Sequence, residues 1–354
     1  MDAERFGAAV RAGAVPVPDV AVLLPCYNEA PVIGRVIDRF RDALPQARIY
    51  VYDNNSRDGS AAVATRAGAI VRREPRQGKG HVVRRMFADI DADIYVMCDA
   101  DDTYDAAIAA ELVEALIAQG LDMLVARRVD TGGSAYRPAH KFGNWLLTAL
   151  VRAMFGSGFS DMLSGYRVFS RRFVKSFPVM AQGFEIETEL TIHALEQEMP
   201  TAEVPTRFQE RIAGSASKLN TVRDGIRILW TIAALLKQER PLYLFGVGAL
   251  VLLNIALLLG VPVIADYART GLVPRLPTAV LATGLMILAF LSFFSGLILD
   301  TVTRGRKEVK RLRYLEIAGV HARGEVQMAG CTSAGTGRCT TLDRAFGDAY
   351  LPRL

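Results

Sequence analysis

The chain has 354 residues, with 42 Lys+Arg against 37 Asp+Glu and a formal net charge of +5. A composition 51% hydrophobic and 22% charged excludes a disordered chain, and four cysteines exclude a disulfide scaffold; the length allows one large domain or two modest ones. A mean hydropathy of +0.21 is high for a soluble enzyme of this size, so apolar residues are concentrated somewhere.

The first 19 residues hold no apolar run of the kind a secretory signal needs, so the bulk of the chain is expected in the cytoplasm with reduced thiols. Short apolar runs follow at 20–24, 49–52, 69–71, 94–98 and 121–126. Helix-like stretches lie between them at 30–43, 60–67, 80–89 and 105–119. This alternation predicts an α/β fold with a mostly parallel sheet and helices on both faces. Ligands of such sheets sit beyond the carboxyl ends of the strands, so the residues just after each run matter most. No GxGxxG follows the first run and no GxxxxGK[ST] occurs, which argues against a dinucleotide site and a P-loop.

After the fourth run, Asp99, Asp101 and Asp102 fall within four residues. Carboxylates that close repel one another unless a cation neutralises them, and hard oxygen ligands suit Mg²⁺ or Mn²⁺ bridging to a diphosphate. A solvated acidic turn is the alternative, and the position beyond an apolar strand favours the metal. Asp53 ends the second run and can accept hydrogen bonds from a base or ribose, or serve as a turn residue, a role that Asp58 before Gly59-Ser60 fits better. Lys79, between two glycines, either meets phosphate oxygens as a point charge or sits on a flexible surface loop.

Near the C-terminus, 243–264 and 279–299 carry no charge. Each is long enough to cross a bilayer, which takes about 20 apolar residues. The short linker 266–278 makes them a hairpin. The run RGRKEVKRLR at 304–313 places both flanks, and both termini, on the cytoplasmic side. Segments 139–155 and 219–237 mix aromatic, aliphatic and basic residues as interfacial helices do. The basic flanks attract anionic lipid head groups, and with little aromatic interleaving they do not point to nucleic acid. Gly246, Gly248 and Ala249 offer a small-residue face for a homo-oligomer. Residues 321–354, with Cys331 and Cys339 but no second pair for zinc, read as a flexible tail.

The motifs LLPCYNEA, VYDNNSRDGS, Gly78-Lys79-Gly80, DADDTYD and DMLSGYRVFSRR, followed by GFEIETEL and GSASKL, resemble those of a family 2 glycosyltransferase. The resemblance is to its GT-A fold and to its polyprenyl-phosphate, dolichol-phosphate mannose synthase-like branch, over roughly residues 18–240. It implies a plan of N-terminal extension (1–17), GT-A domain (18–218), juxtamembrane amphipathic helix (219–240), transmembrane hairpin (241–301) and basic segment with tail (302–354). It implies that Pro25, Tyr27, Glu29 and Asp53 hold the nucleotide, with Lys79 on its phosphates, and that Asp99 and Asp101 ligate the metal on the donor diphosphate. Asp161 matches an acid near the anomeric carbon, and Glu187 an acidic position of undefined duty. Arg127 matches a residue that reaches the acceptor phosphate, assisted by Arg137, His140 or Lys141. Arg211, Ser217 and Lys218 match a loop that closes over the donor. With Asp161, Asp101 and Arg127 as the catalytic group, the implied reaction is inverting transfer from a UDP- or GDP-linked sugar to undecaprenyl or dolichyl phosphate at the inner membrane. A processive polysaccharide synthase is disfavoured by the lack of a QxxRW motif and by the single hairpin. A catalytically silent scaffold is disfavoured by the intact acidic cluster.

Overall fold

The computed structural model describes residues 18–130, 159–181, 183, 185–209, 234, 237 and 239–319. The five expected strands are present as β1 (Val20–Cys26), β2 (Arg48–Asp53), β3 (Ile70–Arg73), β4 (Ile94–Met97) and β5 (Met123–Asp130). The helices between them are α1 (Ile33–Ala43), α2 (Ser60–Arg66), α3 (Lys79–Asp89) and α4 (Ala109–Ala118). Two further strands join the sheet, β6 (Arg167–Ser170) and β7 (Thr201–Phe208), with helices α5 (Arg171–Ser176) and α6 (Ile186–Glu196) between them.

The spatial order is β3-β2-β1-β4-β6-β5-β7. All neighbours are parallel except β6, which runs antiparallel to both β4 and β5. Successive side chains of a strand point to opposite faces, which divides the core in two. Leu23, Tyr95, Met123 and Phe169 pack with Phe87, Phe173 and Leu190 on one face. Leu24, Val96, Leu124 and Val168 pack with Ile37 and Leu112 on the other. The chain leaves β1 in one direction to build β2 and β3, then crosses to β4 on the other side. That reversal opens a crevice at the carboxyl edge. Because β6 is antiparallel, its starting residues lie at the same edge.

Two long helices follow, α7 (Pro241–Thr270) and α8 (Leu276–Leu315). Both are long and apolar enough to cross a membrane, and only 17% of the most apolar window of each is buried, unlike a core helix. Their buried residues recur every seven positions, at Ala249, Ala256 and Val263 on α7 and at Ala282, Ala289, Gly296 and Thr303 on α8. This is the seam of an antiparallel, coiled-coil-like pair. A Cβ on Gly296 would lie 2.9 Å from that of Phe245, so only glycine allows the close approach. Ala249 belongs to this seam and Gly248 faces Ser292, so of the three small residues read as an oligomer face only Gly246 looks into open space.

Beyond residue 301, α8 continues to Leu315 and docks on the sheet domain. Arg306 and Lys307 pair with Glu239, and Lys310 pairs with Glu196 at 2.7 Å. Arg311 donates to the Gln197 carbonyl. The Tyr314 hydroxyl donates to Asp122 Oδ2 at 2.7 Å. Asp122 is buried and also accepts from Ser170 Oγ and from two nitrogens of Arg172. Four of the cations read as lipid-facing thus bind the protein itself. Asp122 precedes β5, so this anchor lies at the sheet edge opposite the crevice. Segment 139–155, most of 219–237 and the tail 321–354 lie outside the described residues, as do Arg137, His140, Lys141, Arg211, Ser217 and Lys218.

Candidate active site

The loops after β1 and β2 lock together through short polar side chains. Asn28, in the left-handed region at φ 55°, accepts from the Arg57 amide at 2.8 Å, and its own amide donates to Ser56 Oγ at 2.9 Å. The Glu29 amide donates to Ser60 Oγ, and the Ala30 amide to Asp58 Oδ2. Asp58 also accepts from the Ser60 amide, as a turn residue does. Pro25, Tyr27 and Glu29 are thereby set beside Asp53, since Cys26 pairs with Asp53 across the strands. Asp53 is buried; its Oδ2 accepts from the Ser56 amide at 3.2 Å, while its Oδ1 has no partner among the described residues. A buried acceptor with spare capacity is what a base or ribose donor would satisfy. Asn54, which the sequence reading passed over, ties the third loop in place. Its amide nitrogen donates to the carbonyls of Glu74 and Arg76, and its oxygen accepts from the Gly78 amide at 2.8 Å. That fixes the start of α3 and hence Lys79.

The three neighbouring carboxylates have parted. Asp102 adopts φ 59° and turns onto α1, where it pairs with Arg35 and Arg39. Asp101 Oδ1 accepts from Thr103 Oγ1 at 2.6 Å. Asp99 packs directly over Gly165, where a Cβ would meet its Oδ2 at 2.2 Å. The Lys79 ammonium donates to both Asp99 and Glu187. Burial disfavours its charge, but these two carboxylates outweigh burial and raise its pKa above the usual lysine range.

The loop entering β6 carries Asp161. Arg128 grips it with Nε at 2.8 Å, Nη2 at 2.7 Å and its backbone amide at 3.1 Å. Burial would raise the Asp161 pKa, but these bonds more than reverse that and hold it below the usual carboxylate range. Glu203 of β7 braces the same loop by accepting from the amides of Ser160 and Asp161. Arg167, fully buried, supports it from beneath through the carbonyls of Met162 and Ser164 and through Thr191 Oγ1. Burial lowers its pKa to about 10, and no carboxylate among the described residues lies within ion-pair distance. Arg127 alternates with Arg128 and so belongs to the opposite face of β5; it is half-buried. Its side chain makes no hydrogen bond or ion pair among the described residues.

A sequence profile described as glycosyl transferase family 2 matches residues 21–177. Glycosyltransferase AglJ of Haloferax volcanii is 31% identical over 306 residues, covering 85% of this chain and 100% of that protein. The chain belongs to glycosyl transferase family 2. The dolichyl-phosphate hexose transferase of the same organism is 28% identical over 225 residues, 63% of this chain and 96% of that protein. Among solved structures, glucosyl-3-phosphoglycerate synthase from Mycobacterium tuberculosis, in complex with Mn²⁺, uridine-diphosphate-glucose and phosphoglyceric acid, superposes with a TM-score of 0.52 at 25% identity. That match covers 66% of this chain and 84% of that one.

The sheet of this family 2 glycosyltransferase is the GT-A sheet that its motifs imply. Its donor set suits a hard divalent cation. Asp99 and Asp101 supply carboxylate oxygens two residues apart, and no cluster of three or more His, Cys, Asp or Glu forms among the described residues. Mg²⁺ and Mn²⁺ are commonly bound in this way, by one or two carboxylates plus substrate phosphates and water. Asp99 and Asp101 would supply only part of such a coordination shell, the rest falling to a nucleotide diphosphate and water.

Proposed function

We propose that this glycosyltransferase transfers a sugar, with inversion, from a UDP- or GDP-linked donor to a polyprenyl phosphate at the cytoplasmic face of the inner membrane. The observation that carries the reading is Arg127: a half-buried cation whose side chain has no partner among the described residues, near the carboxyl end of β5 in an enzyme joined to a membrane-type hairpin. Such a cation is matched by an acceptor phosphate. The dolichyl-phosphate hexose transferase relative supports that acceptor, and the neighbour with Mn²⁺ and uridine-diphosphate-glucose supports the donor class.

In this reading Pro25, Tyr27, Glu29 and Asp53 hold the nucleotide, and Lys79 serves its phosphates. Asp99 and Asp101 would hold Mg²⁺ or Mn²⁺, which when bound would supply positive charge to offset that of the departing diphosphate. A phosphate oxygen of the acceptor attacks the anomeric carbon, and the bond from that carbon to the diphosphate oxygen breaks, the electron pair leaving with the nucleotide. The attacking oxygen is already anionic near neutrality, since a phosphate monoester has a second pKa of about 6. No strong base is needed. Asp161, held ionised by Arg128, balances and orients charge instead of taking a proton. Arg127, with Arg137, His140 or Lys141, seats the acceptor phosphate, and Arg211, Ser217 and Lys218 close over the donor.

An Arg127→Ala variant tests the acceptor side. It is expected to raise the KM for polyprenyl phosphate at least about tenfold, the scale of one charge-assisted contact, with the donor KM unchanged. A raised donor KM with an unchanged acceptor KM would refute the assignment.

A further inference from the structure

Six charged side chains alternate in sign beneath the crevice: Asp99, Lys79, Glu187, Arg167, Asp161 and Arg128. Lys79 bridges two of these carboxylates, donating to Asp99 Oδ1 and Glu187 Oε1. Its side chain is 9% exposed. The ammonium thus covers an oxygen that a divalent cation would need, while the other Asp99 oxygen lies over Gly165. Glu187 stands apart from the Asp99–Asp101 pair. It is buried in the first turn of α6, and the buried Arg167 reaches Thr191 one turn further on. Its side chain is also far more enclosed than that of Asp99, at 6% against 31% exposure.

We propose that Lys79 is an internal counter-ion of Asp99 and that Glu187 is the positioning residue that holds it there. Metal then binds appreciably only together with the nucleotide diphosphate, which gives Lys79 a new anionic partner and completes the coordination shell. Metal and nucleotide affinities are coupled, each raising the other by the same factor. The proposal rests on Asp99 and Asp101 being the metal ligands.

The test is Mn²⁺ binding to the full chain in lipid nanodiscs, followed by the spin-resonance signal of free Mn²⁺, with and without UDP or GDP. For the unaltered protein, nucleoside diphosphate is expected to tighten Mn²⁺ binding at least about tenfold. The double variant Lys79→Met/Glu187→Gln leaves neither charge buried alone. Its nucleotide-free Mn²⁺ binding is expected to be at least about tenfold tighter than that of the unaltered protein, with a smaller gain from nucleotide. Glu187→Gln alone leaves Asp99 as the sole anionic partner of Lys79 and should weaken nucleotide-free binding. Unchanged or weaker binding in the double variant, with Asp99→Asn still abolishing nucleotide-assisted binding, would overturn the counter-ion role and leave the metal assignment standing. Mn²⁺ binding that survives Asp99→Asn in every background would overturn both.

Discussion

Gly165 lies where Asp99 leaves no room for a side chain, since a Cβ there would stand 2.2 Å from a carboxylate oxygen. The Asp99 side chain is partly exposed and can swing aside, so Gly165→Ala should displace it without unfolding the domain. Misplacement of a catalytic group by about 1 Å can cost about 100-fold in rate. Gly165→Ala is therefore expected to lose about that much in kcat/KM with its melting temperature nearly unchanged; wild-type turnover would refute the packing argument. At Asp161 the test is a pH profile. If the acceptor phosphate is the group that must ionise, kcat/KM falls below a pH of about 6 in both the unaltered enzyme and Asp161→Asn. An acid limb that vanishes in the variant would instead make Asp161 the base. The motif order led directly to Asp99, Asp101 and Asp161. It did not single out Arg128, whose signal was only the two-residue alternation of a strand carrying an Arg-Arg doublet. Asn54 and Glu203 act through backbone groups of distant loops, which no local pattern displays.

At the scale of elements, the apolar runs of β1, β2, β4 and β5 were legible because both sheet faces are covered and those strands are largely buried, whereas β3, an exposed edge strand, showed only a three-residue run. β6 was not legible, because it is four residues long and opens on Arg167. Nor was β7, whose residues are mostly half-exposed and include Pro205, tolerated at a sheet edge. The basic run of α8 was legible as charge but not as a docking surface, since its acidic partners are Glu196 of α6 and Glu239, two residues before α7, and the Tyr314 hydroxyl beyond it reaches Asp122 before β5. Lys310→Gln leaves the Glu196 side chain, 0% exposed, without its cation. This should destabilise the docked helix by about 3 kcal/mol, and Tyr314→Phe by about 1 kcal/mol. Hydrogen exchange over 303–315 would rise in both if the docking is as described, and more in the first. α6 also carries His193, buried against Phe173 and Phe177, and burial lowers its pKa to about 3. The neutral ring is the folded form, so stability is full above the unfolded value near 6.5 and falls as pH drops toward 3. The slope is about 1.4 kcal/mol per pH unit in that window. His193→Gln should flatten that part of the denaturation midpoint against pH; an unchanged slope would contradict the buried neutral ring.

At the scale of the whole molecule, the crevice and the α8 anchor occupy opposite edges of one sheet. The anchor ties the catalytic domain to the hairpin without intruding on the loops that gather the site. The exposed apolar faces of α7 and α8 suit lipid, and the seam between them uses most of the small residues that an oligomer would need. Together these features support a family 2 enzyme held at a membrane so that a lipid-linked phosphate meets a nucleotide sugar. The measurement that tests this most directly is radiolabel transfer by the purified chain in membranes, from a panel of UDP- and GDP-sugars to undecaprenyl or dolichyl phosphate. Label from one donor is expected to enter the organic phase, with EDTA abolishing the transfer, Mn²⁺ or Mg²⁺ restoring it, and Asp99→Asn lacking it. Transfer that persists in EDTA, or label that enters only a water-soluble polymer, would contradict this reading.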